Sequence, residues 1–261
     1  MKRARPSSLV LAVLSMVASC NGSNSMTTSG TGGGGGSSLD PANLLSDFED
    51  PAAATIVRIG SPPRNGYWYS YNDMSSGCTQ TPAVGEAYVG AVPATPSPLG
   101  GGLALHGEWT GCTTFGAGVG VDINQPIVDG GTYTGPKVAY DLTEYSGITF
   151  WAMSTPGTDT RFHVKVNMTD ETKVADGGTC DEAVLGGKCS DAYGSWFTLS
   201  TDGAWRQITI RFADSSRFRQ EGWGIGFPWN PTHVTSIQVQ SADGETGEPY
   251  DFWLDDLYLT K

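Results

Sequence analysis

The segment Arg161-Phe-His-Val-Lys-Val-Asn-Met168 alternates polar and apolar residues without a break. Because successive side chains of a β-strand point to opposite faces, this period predicts a strand with one buried face and one polar face. Segments of the same period, separated by Gly, Pro, Asn and Asp, extend in both directions along the chain. They lie at residues 66–73, 103–105, 119–123, 148–152, 208–212, 237–239 and 252–259. Many short strands with almost no helical pattern predict an all-β fold, a jelly-roll β-sandwich.

Composition and charge exclude two classes of partner. The chain has 261 residues, and its 27 acidic residues against 15 Lys and Arg give a net charge of -12. Nucleic-acid binding depends on basic patches that neutralise phosphates, so we expect no nucleic-acid partner. The same charge argues against direct binding to anionic lipid surfaces. The 36 Gly and 15 Pro interrupt long helices, and 38% apolar residues are enough for one folded domain.

The N-terminus has the pattern of an export signal. Lys2, Arg3 and Arg5 precede an apolar stretch at residues 9–17. This stretch is too short to cross a hydrocarbon layer of about 30 Å, so it is typical of a signal peptide and not of a membrane-spanning helix. We therefore predict that residues 1–19 are a signal peptide.

A lipid anchor is predicted next to the signal peptide. The sequence Val17-Ala-Ser-Cys20 resembles a bacterial lipobox, which predicts a lipid on Cys20. The alternative is an ordinary signal peptide that contains a cysteine. Asn21 follows the cysteine, and in the enterobacterial sorting pattern this favours the outer membrane. We expect a protein of the cell envelope, lipid-anchored at the outer membrane, that contacts the membrane through its lipid only.

A flexible tether is predicted between the anchor and the folded domain. Residues 20–46 are rich in Gly and Ser, with five consecutive glycines from Gly32. Such a segment has few apolar residues to bury and behaves as a flexible coil. The predicted organisation is therefore a signal peptide, a lipidated tether at 20–46 and one sandwich domain at 47–261.

The cysteine count supports this organisation. Five cysteines are an odd number for an exported protein, and assigning Cys20 to the lipid leaves four. Four cysteines allow three disulfide connectivities. We favour Cys78–Cys112 with Cys180–Cys189, because the second pair closes a short Gly-rich loop. A zinc site is the weaker alternative, since the chain has no Cys-x-x-Cys and its three His are scattered.

Three predicted strands carry a polar face rich in amides and cations. If these strands are neighbours in one sheet, they form a surface suited to a hydroxyl-rich ligand, because planar polar side chains both donate and accept hydrogen bonds. The alternative is the ordinary solvated face of a sandwich. The polar residues are Arg161, His163, Lys165 and Asn167; Gln207, Thr209 and Arg211; and Ser236, Gln238 and Gln240.

Aromatic residues are the second set of candidates. Tyr67, Tyr69 and Tyr71 share one face of a predicted strand, and Trp68 lies on the other. The pattern leaves open whether the tyrosines form an exposed ladder or a buried triad. Among the tryptophans, we expect those at 151 and 253 inside the sandwich, and those at 109, 196, 223 and 229 in loops where a ring can be exposed.

The order of several short motifs resembles a known family. They are Ser46-Asp-Phe-Glu-Asp50, residues 64–73, Ala104-Leu-His106, residues 115–120, Tyr140-Asp-Leu142, residues 145–151 and Phe252-Trp-Leu-Asp-Asp-Leu-Tyr258. Together they resemble galactose-binding-domain-like jelly rolls, nearest to family 11 carbohydrate-binding modules, and similar domains recur in lipoproteins of myxobacteria. The resemblance covers residues 46–261. It implies noncatalytic binding of a β-glucan-like polysaccharide in a cleft on one concave sheet face, with tyrosines and polar side chains as ligand-binding residues.

The resemblance also implies a structural calcium. In these jelly rolls the first and last strands meet, so Asp47, Glu49, Asp255 and Asp256 become the expected ligands. Carboxylate oxygens are what calcium prefers, and clustered carboxylates without a cation repel one another. The alternative is that these acids lie in solvent at strand ends.

Catalysis is not indicated by any motif. The chain lacks Gly-x-Ser-x-Gly, His-Glu-x-x-His and a P-loop. A glycosidase needs only two carboxylates, so 27 acidic residues leave that chemistry open. Three hypotheses follow. The domain binds polysaccharide without catalysis, which we favour; it binds a protein partner in adhesion or envelope assembly; or it is a hydrolase or lyase on a jelly-roll scaffold.

Overall fold

The computed structural model describes residues 39–51, 57–86, 88–125, 136–241 and 247–261. The predicted signal peptide, Cys20 and the tether up to residue 38 lie outside the described residues. The strands are β1 (Leu44–Ser46), β2 (Trp68–Asn72), β3 (Thr79–Thr81), β4 (Leu105–Thr110), β5 (Ala117–Asp122), β6 (Gly147–Ser154), β7 (Arg161–Met168), β8 (Tyr193–Thr198), β9 (Arg206–Arg211), β10 (Val234–Ser241) and β11 (Tyr250–Thr260).

Helical structure in the described residues is short. The one α-helix is α1 (Glu182–Leu185), and three 3-10 turns lie at Pro41–Asn43, Val174–Asp176 and Pro231–His233. No helix in this part of the chain is long and apolar enough to span a membrane.

The strands form two antiparallel sheets. One has the order β3-β4-β11-β6-β9, with β1 paired to β11, and the other has the order β2-β5-β10-β7-β8. Every strand pair is antiparallel. Inward-facing apolar residues of both sheets share one core. The prediction of an all-β, jelly-roll-type sandwich is confirmed.

Aromatic rings fill the centre of the core. Phe162 of β7 is fully buried, and its ring centroid lies 4.7 Å from Phe252 and 5.6 Å from Phe197. Tyr250 and Trp109 also meet Phe162, at 5.5 and 6.4 Å. Because large rings bury much apolar area, this contact between the sheets contributes strongly to stability.

The alternation of β9 correctly predicted which of its side chains face inward, but the strand belongs to a different sheet from the one expected. β9 pairs with β6 in the six-stranded sheet, where Ile208 lies opposite Phe150. The strand therefore does not neighbour β7 and β10, and Gln207 and Arg211 do not form one continuous sheet face with the polar residues of those two strands. Alternation tells which side chains face inward, but it carries no information about the partner strand.

The folded domain begins before residue 47. β1 pairs with β11, with Leu44 opposite Tyr258, and Leu44 and Leu45 are buried. The buried Arg64 side chain donates hydrogen bonds to the carbonyl oxygens of Ala42 and Leu44. The boundary predicted at residue 47 was therefore too late, because the short apolar pair of β1 does not stand out beside a long polar segment.

Four tryptophans differ from the sequence prediction, and one of them, Trp196, lies in β8 instead of in a loop. Trp109 is buried in β4 instead of lying in a loop, and its ring stacks on Tyr250. Trp151 and Trp253 do not lie between the sheets; they pack with Met153 on the outer face of the six-stranded sheet. A continuous apolar run in a strand has two apolar faces, and the period does not tell which of them faces the core.

Both predicted disulfides are present. Cys78 is joined to Cys112, and Cys180 is joined to Cys189. These cysteines therefore do not form a zinc site.

Shortening a ring in the central aromatic cluster tests the packing. Phe162→Ala is expected to lower the free energy of unfolding by about 3–5 kcal/mol, because it removes buried area and leaves a cavity. Ile59→Ala is the control, since Ile59 is 82% exposed; it is expected to change stability by less than about 0.5 kcal/mol. Urea denaturation measures both, and equal effects would contradict the core assignment.

Candidate functional site

A cleft of about 620 Å³ lies on the outer face of the five-stranded sheet. Its floor includes Tyr69 and Tyr71 of β2, Gln238 and Gln240 of β10, and Lys165 of β7. These five residues were predicted as ligand-binding residues, and the sheet brings them together. The cleft is the candidate site.

The tyrosines of β2 form a row on this outer face. Trp68 and Ser70 point inward and are buried, so the alternation turns Tyr67, Tyr69 and Tyr71 outward. Ring centroids of neighbouring tyrosines are 6.4 and 6.2 Å apart. Of the two alternatives left open by the sequence, the outward-facing ladder is the observed one. Tyr67 continues the row beyond the residues that line the cleft.

Two glycines of β5 let the tyrosine rings lie across the sheet. Gly120 pairs with Tyr69 and Gly118 pairs with Tyr71. A Cβ atom on Gly120 would lie 2.5 Å from Cζ of Tyr69, and one on Gly118 would lie 2.8 Å from Oη of Tyr71. Any side chain at these positions would lift the rings off the sheet. β5 keeps regular register with both neighbours, so these glycines do not mark bulges.

Amide side chains of β10 hold the tyrosine hydroxyls. Nε2 of Gln238 donates to Oη of Tyr69 at 2.9 Å, and Oη of Tyr71 donates to Oε1 of Gln240 at 3.4 Å. Gln240 also accepts from Nζ of Lys165 at 2.7 Å and donates to the carbonyl oxygen of Phe115 at 2.7 Å. Gln240 is 4% exposed. Its role in the cleft is thus to position Tyr71 and Lys165.

Both cleft tyrosines stay protonated at physiological pH. Burial raises the pKa of Tyr69, and the nearby Asp122 carboxylate raises it further. Burial also raises the pKa of Tyr71 well above its usual value. The rings therefore present neutral faces to a ligand.

Sequence reasoning missed Lys137. Its Nζ lies 2.8 Å from Oδ1 of the buried Asp122 and 5.4 Å from the centroid of the Tyr69 ring. Lys137 precedes an irregular segment and belongs to none of the strands, so no period singles it out. The one sequence signal for this ion pair is the acidic residue Asp122, which ends β5. In the structure Asp122 pairs with Ser236 of β10.

Residues 172–190 form a wall of the cleft beside its floor. The disulfide Cys180–Cys189 closes a loop around α1. Oε1 of Glu182 accepts from the backbone N–H of Cys189 at 3.0 Å and lies 3.3 Å from Nζ of Lys173. These links fix a wall that no alternation in the sequence could have predicted.

Trp223 stands at the mouth of the cleft. Its ring is 49% exposed, in agreement with the expectation for a loop tryptophan. The buried Asp191 carboxylate accepts hydrogen bonds from the backbone N–H groups of Glu221, Gly222 and Gly224, at 3.0, 2.8 and 3.1 Å. These bonds fix the turn that carries the tryptophan.

His163 and Arg161 lie outside the cleft. The ring of His163 is 2% exposed and stacks on Trp196 of β8, with centroids 4.4 Å apart. Burial, together with the neighbouring charges of Lys165 and Arg161, lowers the pKa of His163 to about 3. Arg161 covers the Trp196 ring at 4.4 Å. His163, predicted as a ligand-binding residue, is therefore not part of this cleft; it lies against Trp196 and lines a separate pocket with that ring.

Gln207 and Arg211 border a different groove. They lie along β9 and share this groove with Trp196 of β8 and with Arg217. The predicted ligand-binding set is thus divided between two places, and the cleft holds only part of it.

The acids at the chain ends meet at another corner of the domain. β1 lies beside β11, which brings Asp47 and Glu49 near Asp255 and Asp256. Burial, and then the Asp256 charge, raise the pKa of Asp255 to about 8. Burial, Asp47 and Glu49 raise that of Asp256 to about 6.

Two of these four carboxylates fit a cation better than the others. Oδ2 of Asp255 is buried and has no hydrogen-bond partner among the described residues. Asp47 already pairs with Arg58, and Glu49 accepts from the backbone N–H groups of Gly102 and Leu103. The fit to calcium therefore rests mainly on Asp255 and Asp256.

Comparisons with known proteins give fold-level likenesses only. No family model and no curated protein matches the chain. It is similar in fold to a family 11 carbohydrate-binding module from Clostridium thermocellum, solved with a β-1,3-1,4-mixed-linked tetrasaccharide, at 16% identity and a TM-score of 0.46 over 84% of this chain and 94% of that one. A module specific for non-crystalline cellulose, CBM28, is similar at 12% identity and a TM-score of 0.43, over 85% and 96% of the two chains.

Some of the similar structures are enzymes, namely agarases. An exo-β-agarase matches at 9% identity and a TM-score of 0.45, over 84% of this chain but 24% of that one. Carbohydrate-binding modules of the jelly-roll type are thus what this chain is similar to, as the sequence resemblance implied.

Adding a methyl group under the Tyr69 ring tests the arrangement of the floor. Gly120→Ala is expected to lower the free energy of unfolding by about 1–3 kcal/mol, because the new Cβ overpacks against the ring. Gly226→Ala is the matched control, since a Cβ there meets no atom within 4 Å. If thermal or urea unfolding showed the two variants to be equally stable, the ring would not lie over β5.

Proposed function

We propose that the cleft binds a polysaccharide chain without catalysis. The observation that carries this proposal is the row of tyrosine rings lying across β5, with hydroxyls held by Gln238 and Gln240. Aromatic faces pack against the C–H faces of sugar rings, and amides pair with sugar hydroxyls. The cleft offers both kinds of contact side by side.

The floor is arranged before any ligand arrives. Gln240 makes three hydrogen bonds that fix Tyr71 and Lys165, and Asn167 donates to Oγ of Ser236 at 3.1 Å. A fixed surface loses little side-chain freedom on binding, which favours affinity. This supports a binding role for the sheet face.

The acids near the cleft do not have the features of a glycosidase pair. Glu182 lines the cleft, but the backbone N–H of Cys189 and the side chain of Lys173 lower its pKa, whereas a general acid needs a raised one. Burial raises the pKa of Glu171 to about 8, yet Glu171 is fully buried and does not line the cleft. We therefore propose binding and not hydrolysis as the function.

The setting of the domain is part of the proposal. We propose that the lipobox-like sequence at Cys20 anchors the chain to the cell envelope, at the outer membrane. A domain on a Gly-rich tether then contacts polysaccharide outside the membrane. The sequence resemblance implies a neutral β-glucan as the finer form of this ligand, and the binding experiment includes one.

Removing the tyrosine rings tests the proposed site. Tyr69→Ala and Tyr71→Ala are each expected to weaken polysaccharide binding about tenfold, since truncating a central aromatic contact costs about 1–2 kcal/mol. Affinity electrophoresis in gels containing mixed-linkage β-glucan or an acidic polysaccharide measures retardation. Tyr258→Ala, on the outer face of the other sheet, is the control and keeps its retardation.

Two results would contradict the proposed site. If the wild-type domain migrates without retardation in every polysaccharide gel, the proposal of polysaccharide binding is refuted. Retention of an envelope protein in a pull-down would then favour a protein partner. Retardation that survives both tyrosine substitutions would move the site to another face.

We also propose that Asp255 and Asp256 hold a structural calcium, with Asp47 and Glu49 nearby. The support is the buried, unpartnered Oδ2 of Asp255 and the raised pKa values of this pair, which are caused by burial first and by the neighbouring carboxylates second. When bound, the cation compensates these negative charges and joins the first strand to the last. It has no part in contacting the polysaccharide.

Calcium is expected to change how stability depends on pH. Without it, the raised pKa of Asp255 means that the folded state holds its proton more tightly, so stability falls as the pH rises from 3.8 toward about 8. Calcium at about a hundred times its Kd is expected to raise Tm at pH 8 by about 5–10 °C. Melting in chelator and in calcium measures this.

Two variants control the calcium experiment. Asp255→Asn is expected to remove the response to calcium, whereas Asp141→Asn, at an exposed acid outside this group of four, keeps it. An unchanged midpoint of the wild-type domain in chelator and in calcium would refute the calcium proposal and leave the polysaccharide proposal untouched.

A further inference from the structure

Lysines are concentrated at the cleft. Of the five lysines in the described residues, four line it and Lys261 does not; the four are Lys137, Lys165, Lys173 and Lys188. No arginine of the described part of the chain lines it. The whole chain carries a net charge of -12, so this grouping runs against the average charge of the molecule.

The four lysines border the tyrosine floor. Nζ of Lys137 lies over the Tyr69 ring, 5.4 Å from its centroid, and Lys165 is held on the floor by Gln240. Lys173 and Lys188 belong to the wall at residues 172–190, where the carbonyl oxygen of Gly177 accepts a hydrogen bond from the backbone N–H of Lys137 at 2.7 Å. A chain lying on the tyrosine floor would therefore have several ammonium groups within reach.

Acidic residues cancel only part of this grouping. Asp176 and Glu182 are the carboxylates that line the cleft among the described residues, and Glu182 is engaged by Lys173 at 3.3 Å and by the N–H of Cys189. Asp122 is 2% exposed and pairs with Lys137 at 2.8 Å, so it holds that lysine in place and offsets its charge. Four lysines against three carboxylates leave a cationic excess at the cleft in this part of the chain.

A neutral glycan has no anionic groups with which these lysines could pair. Ammonium groups form their strongest hydrogen bonds with anionic oxygens, and ordering long lysine side chains costs conformational entropy. An acidic protein also repels polyanions at long range unless the binding surface itself is locally positive. The position of the lysines is therefore what an anionic ligand requires.

We propose that the cleft selects an anionic polysaccharide, one that carries carboxylate or sulfate groups along a pyranose chain. The inference rests on the proposed polysaccharide binding and names the class of ligand. The sugar rings lie on Tyr69 and Tyr71, and the anionic groups meet the lysines of the wall and the floor. Ammonium groups do not distinguish carboxylate from sulfate by shape, so the probes must do so.

The experiment compares three polymers with the same domain. Affinity electrophoresis uses polygalacturonate for carboxylate, dextran sulfate for sulfate and mixed-linkage β-glucan as the neutral chain, each at low and at physiological salt. At least one anionic polymer is expected to bind about tenfold more tightly than the neutral one at low salt, and its binding weakens with salt. The stronger of the two anionic probes identifies the charged group.

Substitutions separate cleft binding from general attraction. The double variant Lys173→Gln/Lys188→Gln, at exposed wall positions, is expected to lower anionic-polymer affinity about tenfold and to flatten the salt dependence. Arg217→Gln is the control, because Arg217 is an exposed cation in the separate groove near β9. The affinity of this variant for the anionic polymer is expected to equal that of the wild type.

Three outcomes of these experiments would contradict the inference at different levels. Equal, salt-independent binding of the neutral and anionic polymers would overturn the anionic preference and leave polysaccharide binding standing. Loss of anionic binding in Arg217→Gln but not in the lysine variant would overturn the assignment to the cleft. Binding of none of the three polymers would overturn both this inference and the proposed function beneath it.

Discussion

The candidate site depends on the absence of two side chains. Gly118 and Gly120 of β5 leave room for the rings of Tyr71 and Tyr69 to cross from β2 toward β10. Only because the rings cross β5 do their hydroxyls reach Gln240 and Gln238 two strands away. A methyl group at either glycine would separate the aromatic surface from the amides that fix it.

This packing links the floor of the cleft to its charge. Gln240 accepts from both Tyr71 and Lys165, so the residue that orients a ring also orients an ammonium group. Asp122 at the end of β5 holds Lys137 beside Tyr69 in a similar way. Aromatic rings and two of the cations are therefore positioned by hydrogen bonds and an ion pair of the five-stranded sheet, and the disulfide-closed wall adjoins them through the bond from Lys137 to Gly177.

Sequence alone predicted the strands and the fold class but not the full site. The alternation of residues 161–168 identified β7 and its two faces, and the order of motifs indicated the jelly roll. Period two could not tell that β9 joins the other sheet, so Gln207 and Arg211 were grouped with the wrong neighbours. It also could not tell that His163 would lie under Trp196, because burial of a polar face depends on the neighbouring strand. Lys137 and the wall at 172–190 have no period at all, and only tertiary structure brings them to the cleft.

The most direct test of the central claim is a map of ligand contacts on the folded domain. Backbone amide NMR shifts, recorded while the anionic polysaccharide fragment that binds best is added, report every strand at once. Changes concentrated at residues 69–71, 118–120, 165 and 238–240, with further changes at 173–188, are the predicted result. Changes concentrated on β9 or on the outer face of the six-stranded sheet would contradict the assignment of the tyrosine cleft as the binding site.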